Sequence, residues 1–162
     1  MLDQGDHAPD FALPDETNTT RTLSGELQRG PVLLYFYPAD FTPGCTAQAC
    51  AFRDAHAQLA DLGLSVLGIS PQSVESHAKF KNAHNLNFPL LADPDKQAIA
   101  AFGTAGPFGL LTRRATFVIT HDPDLPAGRV AHRVLADLNI ARHAALVREL
   151  AERATADSKA AG

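Results

Sequence analysis

Apolar positions along the chain follow two kinds of pattern. Continuous runs at Val32 to Tyr37, Leu64 to Ile69 and Ala115 to Thr120 carry the β-branched and aromatic content of buried strands, and Gly128 to Leu135 reads as a fourth strand. Elsewhere the spacing is helical. Ala49, Phe52, Ala55, Leu59 and Leu62 form an i, i+3, i+4 stripe on a helix that starts at Cys45 and stops at Gly63. Ser73, with Glu75 in the first turn, predicts a helix running to about Asn85. Asp93 and Pro94 read as a cap and an N1 proline, with Gly103 just past the end of a short helix. Ile140, Ala144, Val147, Leu150, Ala151 and Ala154 mark a terminal helix, with Arg148–Glu152 and Glu149–Arg153 paired on its outer surface.

Leu86 to Leu91 is a further short apolar segment. Residues 6–30 hold Pro9, Pro14, Gly25 and Gly30 between short alternating stretches, Phe11 to Leu13 and Thr20 to Leu23, which reads as a small β-hairpin at the edge of the domain. Strands alternating with helices imply a layered α/β fold with helices on both faces of a central sheet. No repeat or linker interrupts the pattern. Residues 1–155 are therefore expected to form one domain, and 156–162 a frayed tail.

Composition narrows the class. With 162 residues, 45% hydrophobic and 20% charged, the chain is long enough for a core and belongs with globular proteins. A net charge of −4 without a basic block points to neither nucleic acid nor an anionic membrane. Asp3, Asp6, Asp10 and Asp15 occupy the region where a secretory leader would need an apolar stretch, so a cytoplasmic protein is expected.

The candidate chemistry lies where the first strand turns into a helix. Pro38 stops the strand, Pro43 and Gly44 turn the chain, and Cys45 begins the helix. Free N–H groups and the positive end of the helix dipole favour a thiolate there. Cys45 and Cys50 are the only cysteines. Five residues on a helix separate their Cα atoms by roughly 8.6 Å, whereas a disulfide spans at most about 7 Å. If the two ever bond, the helix must unwind. Cys45 falls on the side of Phe52, towards the interior, and Cys50 on the opposite side, nearer the surface.

The string Tyr35-Phe36-Tyr37-Pro38, then Asp40, Thr42-Pro43-Gly44-Cys45-Thr46 and Ala49-Cys50, resembles the active-site signature of peroxiredoxins, in particular the atypical two-cysteine group called peroxiredoxin Q or bacterioferritin comigratory protein. Further matches are Gly5-Asp6 with Ala8 to Phe11, Gly68 to Ser70 with Ser73 to His77, and Arg114 with Thr116-Phe117. The resemblance implies a thioredoxin-like fold with Phe11 anchoring an N-terminal hairpin. It also implies a monomeric thiol peroxidase for hydrogen peroxide and organic hydroperoxides, with neither metal nor cofactor. Cys45 would be the peroxidatic thiolate and Cys50 the resolving thiol. Thr42 would set a hydroxyl beside the sulfur, and the N–H groups of Gly44 and Cys45 would receive a substrate oxygen. Arg114 would favour the thiolate and orient the O–O bond, and Pro38 would shield the sulfur. A thioredoxin-like dithiol would reduce the resulting Cys45–Cys50 disulfide.

Two features depart from the pattern. Gln48 stands where the family often has Glu, and His121 to Gly128 is longer and richer in proline than a tight turn. His77 and His84 share a helix face with Phe80, but no C-x-x-C or H-x3-H spacing suggests a metal, and His77 reads as a structural polar group. Two other readings compete. One is a redox-switched interaction protein. The other is a disulfide oxidoreductase, disfavoured because C-x4-C does not close across an intact helical turn.

Overall fold

The computed structural model describes residues 1–135 and 139–160. β1 (Ala12–Pro14) and β2 (Thr20–Thr22) form an antiparallel hairpin that leads into α1 (Leu23–Leu27). Then come β3 (Val32–Phe36), α2 (Pro43–Asp54), α3 (His56–Asp61), β4 (Ser65–Ser70), α4 (Val74–His84), β5 (Leu90–Ala92) and α5 (Gln97–Ala101). A 3-10 turn at Pro107–Gly109 precedes β6 (Ala115–Asp122), β7 (Leu125–Leu135) and α6 (Ile140–Ala160).

The five-stranded sheet has the order β5-β4-β3-β6-β7, with β5, β4 and β3 parallel and β6 and β7 antiparallel to their neighbours. Its central strand shows why the apolar run at Val32 is continuous. Side chains of a strand alternate between faces, and here both faces are covered. Val32, Leu34 and Phe36 enter one core with Leu23 and Leu27 of α1, Ile99 of α5, Phe102 and the hairpin residues Phe11 and Leu13. Leu33, Tyr35 and Tyr37 enter the other with Cys45, Ala49 and Phe52 of α2, Leu59 of α3, Phe80 of α4 and Val147 of α6. The expected mixed sheet, two-sided helices and N-terminal hairpin are all present. Gly68 is required by close approach, because a Cβ there would lie 2.9 Å from the phenol oxygen of Tyr35.

Several boundaries differ from those expected. The strand read over Thr20 to Leu23 stops at Thr22, whose hydroxyl accepts from Gly25 N at 3.0 Å and caps α1. The single helix from Cys45 to Gly63 bends at Ala55 into α2 and α3, and Leu59 stays in the same core. The helix after Asp93 begins only at Gln97. The Asp93 carboxylate reaches forward to Gln97 N and Ile99 N at 2.8 and 2.9 Å, while Lys96 takes a left-handed φ of 56°. Finally, His121 to Gly128 is not a long loop. The strands continue to Asp122 and Leu125, register shifts absorb the extra residues, and the Asp122–Arg129 ion pair at 2.9 Å ties them.

The terminal helix runs through Ala160, beyond the expected boundary at 155, in keeping with the high helix propensity of its alanines. Leu146 and Val147 are buried on its inner face, and Glu149–Arg153 pairs at 2.7 Å outside. The side chains of Ile140, Ala144, Ala151 and Ala154 lie outside the described residues.

Candidate active site

The β3 strand ends at Phe36, and residues 37–42 carry the chain into α2. Pro43 occupies the first helical position, where a missing N–H costs nothing. Gly44 and Cys45 follow in the first turn, where N–H groups have no intrahelical acceptor. The Cys45 side chain is only 1% exposed, on the core side of the helix as its register predicted. Cys50 is half-buried, both thiols are free, and α2 is unbroken between them.

Arg114, just before β6, is brought 69 residues along the chain to the sulfur. Its Nη2 donates to Cys45 Sγ at 3.2 Å and its Nη1 to Gln48 Oε1 at 2.5 Å. One planar guanidinium therefore spans the first turn of α2, gripping residues three apart on the same helix face. The sulfur thus faces a fixed positive charge.

Thr42 departs from expectation. It caps α2 by backbone conformation, but its exposed hydroxyl donates to the Ala39 carbonyl at 3.2 Å and not to the sulfur. That bond closes the tight loop that Pro38 and Pro43 bracket. Pro38 itself lines a cavity of about 280 Å³ together with Pro107, Leu111, Thr112, Arg113 and Arg114. Leu111 of this lining is exposed, as are Phe108 and Leu110 in the preceding segment, Phe108 at 98%. The Lys96 ammonium holds the turn by donating to the Gly109 carbonyl at 2.6 Å.

Sequence reasoning missed how the loop before Cys45 is docked. Asp40 is buried and accepts from Tyr37 Oη at 2.7 Å and Ser76 Oγ at 2.7 Å, and its Oδ2 lies 2.8 Å from His77 Nδ1. His77 Nε2 faces the Leu91 carbonyl at 3.1 Å. Both ring nitrogens thus lie within hydrogen-bond reach of an oxygen. Burial pushes the Asp40 carboxyl up. The hydrogen bond and charge of His77, with Ser76 and Tyr37, outweigh it and hold Asp40 below its ordinary value. Phe41, at a φ of 62°, lays its ring against Phe80 and His84 at 5.2 and 6.4 Å. At the far end of α2, Arg53 Nη1 donates to the His84 carbonyl at 2.7 Å. Helix α4 therefore braces α2 at both ends. The signal was an acidic residue inside the cysteine motif and a histidine on the buried stripe of another helix, but nothing local joins the two.

Tyr35 lies under the same helix. Burial first, and then the negative charge at Cys45, push its phenol well above the ordinary range, so it stays protonated.

This geometry can be compared with known proteins. The AhpC/TSA family matches residues 4–126. The chain belongs to the AhpC/TSA family. Among relatives named as peroxiredoxins, one from Mycobacterium tuberculosis is 46% identical over 121 residues, covering 73% of this chain and 79% of that protein. Peroxiredoxin Bcp of Bacillus subtilis is 45% identical over 101 residues, covering 62% and 64%. Among solved structures, the peroxidoxin BcpB of M. tuberculosis superposes with a TM-score of 0.84 at 37% identity, covering 94% of this chain and 98% of that one. This peroxiredoxin accordingly has the thioredoxin fold and is a thiol-dependent peroxidase, an oxidoreductase. Among the described residues, no helix is long and apolar enough to cross a membrane.

Proposed function

We propose that Cys45 is the peroxidatic nucleophile and Cys50 the resolving thiol of a peroxidase acting on hydrogen peroxide and organic hydroperoxides. The observation that carries this reading is the 3.2 Å contact from Arg114 Nη2 to Cys45 Sγ at the start of α2. The thiolate attacks one peroxide oxygen. An S–O bond forms as the O–O bond breaks, two electrons pass from sulfur to peroxide, and the departing oxide takes up a proton as water or alcohol. Arg114 and the N–H groups of Gly44 and Cys45 stabilise the charge that builds on oxygen. Pro38 keeps water from the sulfur, and Thr42 shapes the loop around it. The cavity that Pro38, Pro107 and Leu111 line beside Arg114 supports organic hydroperoxides as substrates, in line with the alkyl peroxide reduction named for a Xanthomonas campestris bacterioferritin comigratory protein, 29% identical with a TM-score of 0.78 over 89% of this chain and 92% of that one.

Cys50 then attacks the Cys45 sulfenic acid. An S–S bond forms and the hydroxyl leaves as water. This step requires α2 to open between the two residues. A thioredoxin-like dithiol reduces the disulfide and becomes oxidised in turn. A cytoplasmic monomer fits this cycle, since that compartment keeps dithiol reductants reduced.

The test is stopped-flow reaction of reduced protein with stoichiometric hydrogen peroxide. Wild type should react far faster than a free thiol, and Cys45→Ser should be inert. Cys50→Ser should accumulate a sulfenic acid without an intramolecular disulfide. Reaction of all three at the free-thiol rate would sink the assignment and favour a redox-switched interaction protein.

A further inference from the structure

Gln48 combines two observations that the catalytic cycle does not use. Its side chain is 1% exposed on α2, one turn from Cys45, and Oε1 accepts from Arg114 Nη1. A guanidinium offers only donors, so the amide oxygen must face it and the amide nitrogen must face away. That nitrogen, Nε2, is fully buried and has no hydrogen-bond partner. A buried donor without an acceptor destabilises the conformation that buries it.

We propose that Gln48 is a positioning residue that sets how readily α2 opens. Through Oε1 it steadies Arg114 over the sulfur, and through its stranded Nε2 it raises the closed helix towards the open one. The inference rests on the Cys45–Cys50 reading, because opening is what that disulfide needs. When α2 unwinds, Nε2 reaches water and its penalty disappears. The consequence falls on the Cys45 sulfenic acid, which has two competing fates. With α2 open, the Cys50 thiol attacks it, the S–S bond forms and water leaves. With α2 closed, a second peroxide oxidises the same sulfur to a sulfinic acid, and that peroxide is reduced to water or alcohol. Easy opening favours the first fate. A glutamate at this position would keep an acceptor for Arg114, pair with its charge and present no stranded donor. It would therefore hold the helix shut.

One variant tests this. Gln48→Glu removes the donor and keeps the acceptor for Arg114 Nη1. Amide hydrogen exchange over residues 45–50 of the reduced proteins needs no peroxide. Exchange should be slower than wild type in Gln48→Glu, by about tenfold, which corresponds to about 1.4 kcal/mol. Exchange as fast as wild type, or faster, in this variant would overturn the proposal. The second readout is mass spectrometry of Cys45 after graded hydrogen peroxide. Gln48→Glu should raise the ratio of sulfinic acid to disulfide by about tenfold at equal peroxide, and an unchanged or lower ratio would also overturn it. If wild type forms neither sulfenic acid nor disulfide, the Cys45–Cys50 reading fails, while the exchange data still judge Gln48.

Discussion

At the scale of single residues, the site depends on one guanidinium serving two acceptors. Arg114 reaches the sulfur and the Gln48 oxygen together because its donors lie in a rigid plane. A lysine ammonium keeps the charge but is a point donor on a flexible stem. Arg114→Lys should therefore slow the first reaction with peroxide about 10²- to 10³-fold, the loss typical when one donor to a developing oxyanion is removed. Stopped-flow rates would check this, and a near-wild-type rate would show that charge alone suffices. Register on a helix was enough to place Cys45 inward and Cys50 outward. Thr42 was different. A hydroxyl three residues before the cysteine can turn to the sulfur or back to its own loop, and only the path of residues 39–42 decides between them.

At the scale of elements, α4 is the brace for α2. Its cap at Ser73 and its extent to about Asn85 were readable because capping is local chemistry. Its role was not, since Asp40 and His77 are 37 residues apart and meet only when β3 and β4 pair. Removing Asp40 leaves Tyr37 Oη, Ser76 Oγ and the buried His77 ring without their shared partner, and a stranded buried polar group costs about 1–3 kcal/mol. Asp40→Ala should lose stability of that order in urea denaturation, and its peroxide reaction should slow because the loop before Cys45 loses its anchor. Loss of stability without any change in rate would show that the loop keeps its position unaided. The bend at Ala55 was equally hidden, because the apolar stripe runs through it without a break.

At the scale of the whole molecule, the N-terminal hairpin is fastened to the edge of the sheet through Asp15, which bridges to Leu91. Burial pushes the Asp15 carboxyl up, but bonds from Thr17, Arg21 and Thr19 prevail and hold it at about 2, below its ordinary 3.8. A depressed value in the folded state stabilises the protein above the unfolded value and stops doing so as pH falls through the folded one. Stability should therefore decline between roughly pH 4 and pH 2. Asp15→Asn should be less stable at neutral pH and flatter over that interval in urea midpoints. An identical slope in the variant would remove Asp15 as the cause.

The sequence alone determined the strands buried on both faces, the Ser73 helix cap and the thiol at a helix start, because burial period, capping and the dipole are all short-range properties of the chain. The family resemblance pointed to Arg114, but only tertiary structure decided how it and the other distant groups meet around that thiol. Arg114, the Asp40–His77 pair and the stranded amide of Gln48 take their roles from strand order and helix packing, which bring together residues that no local pattern connects.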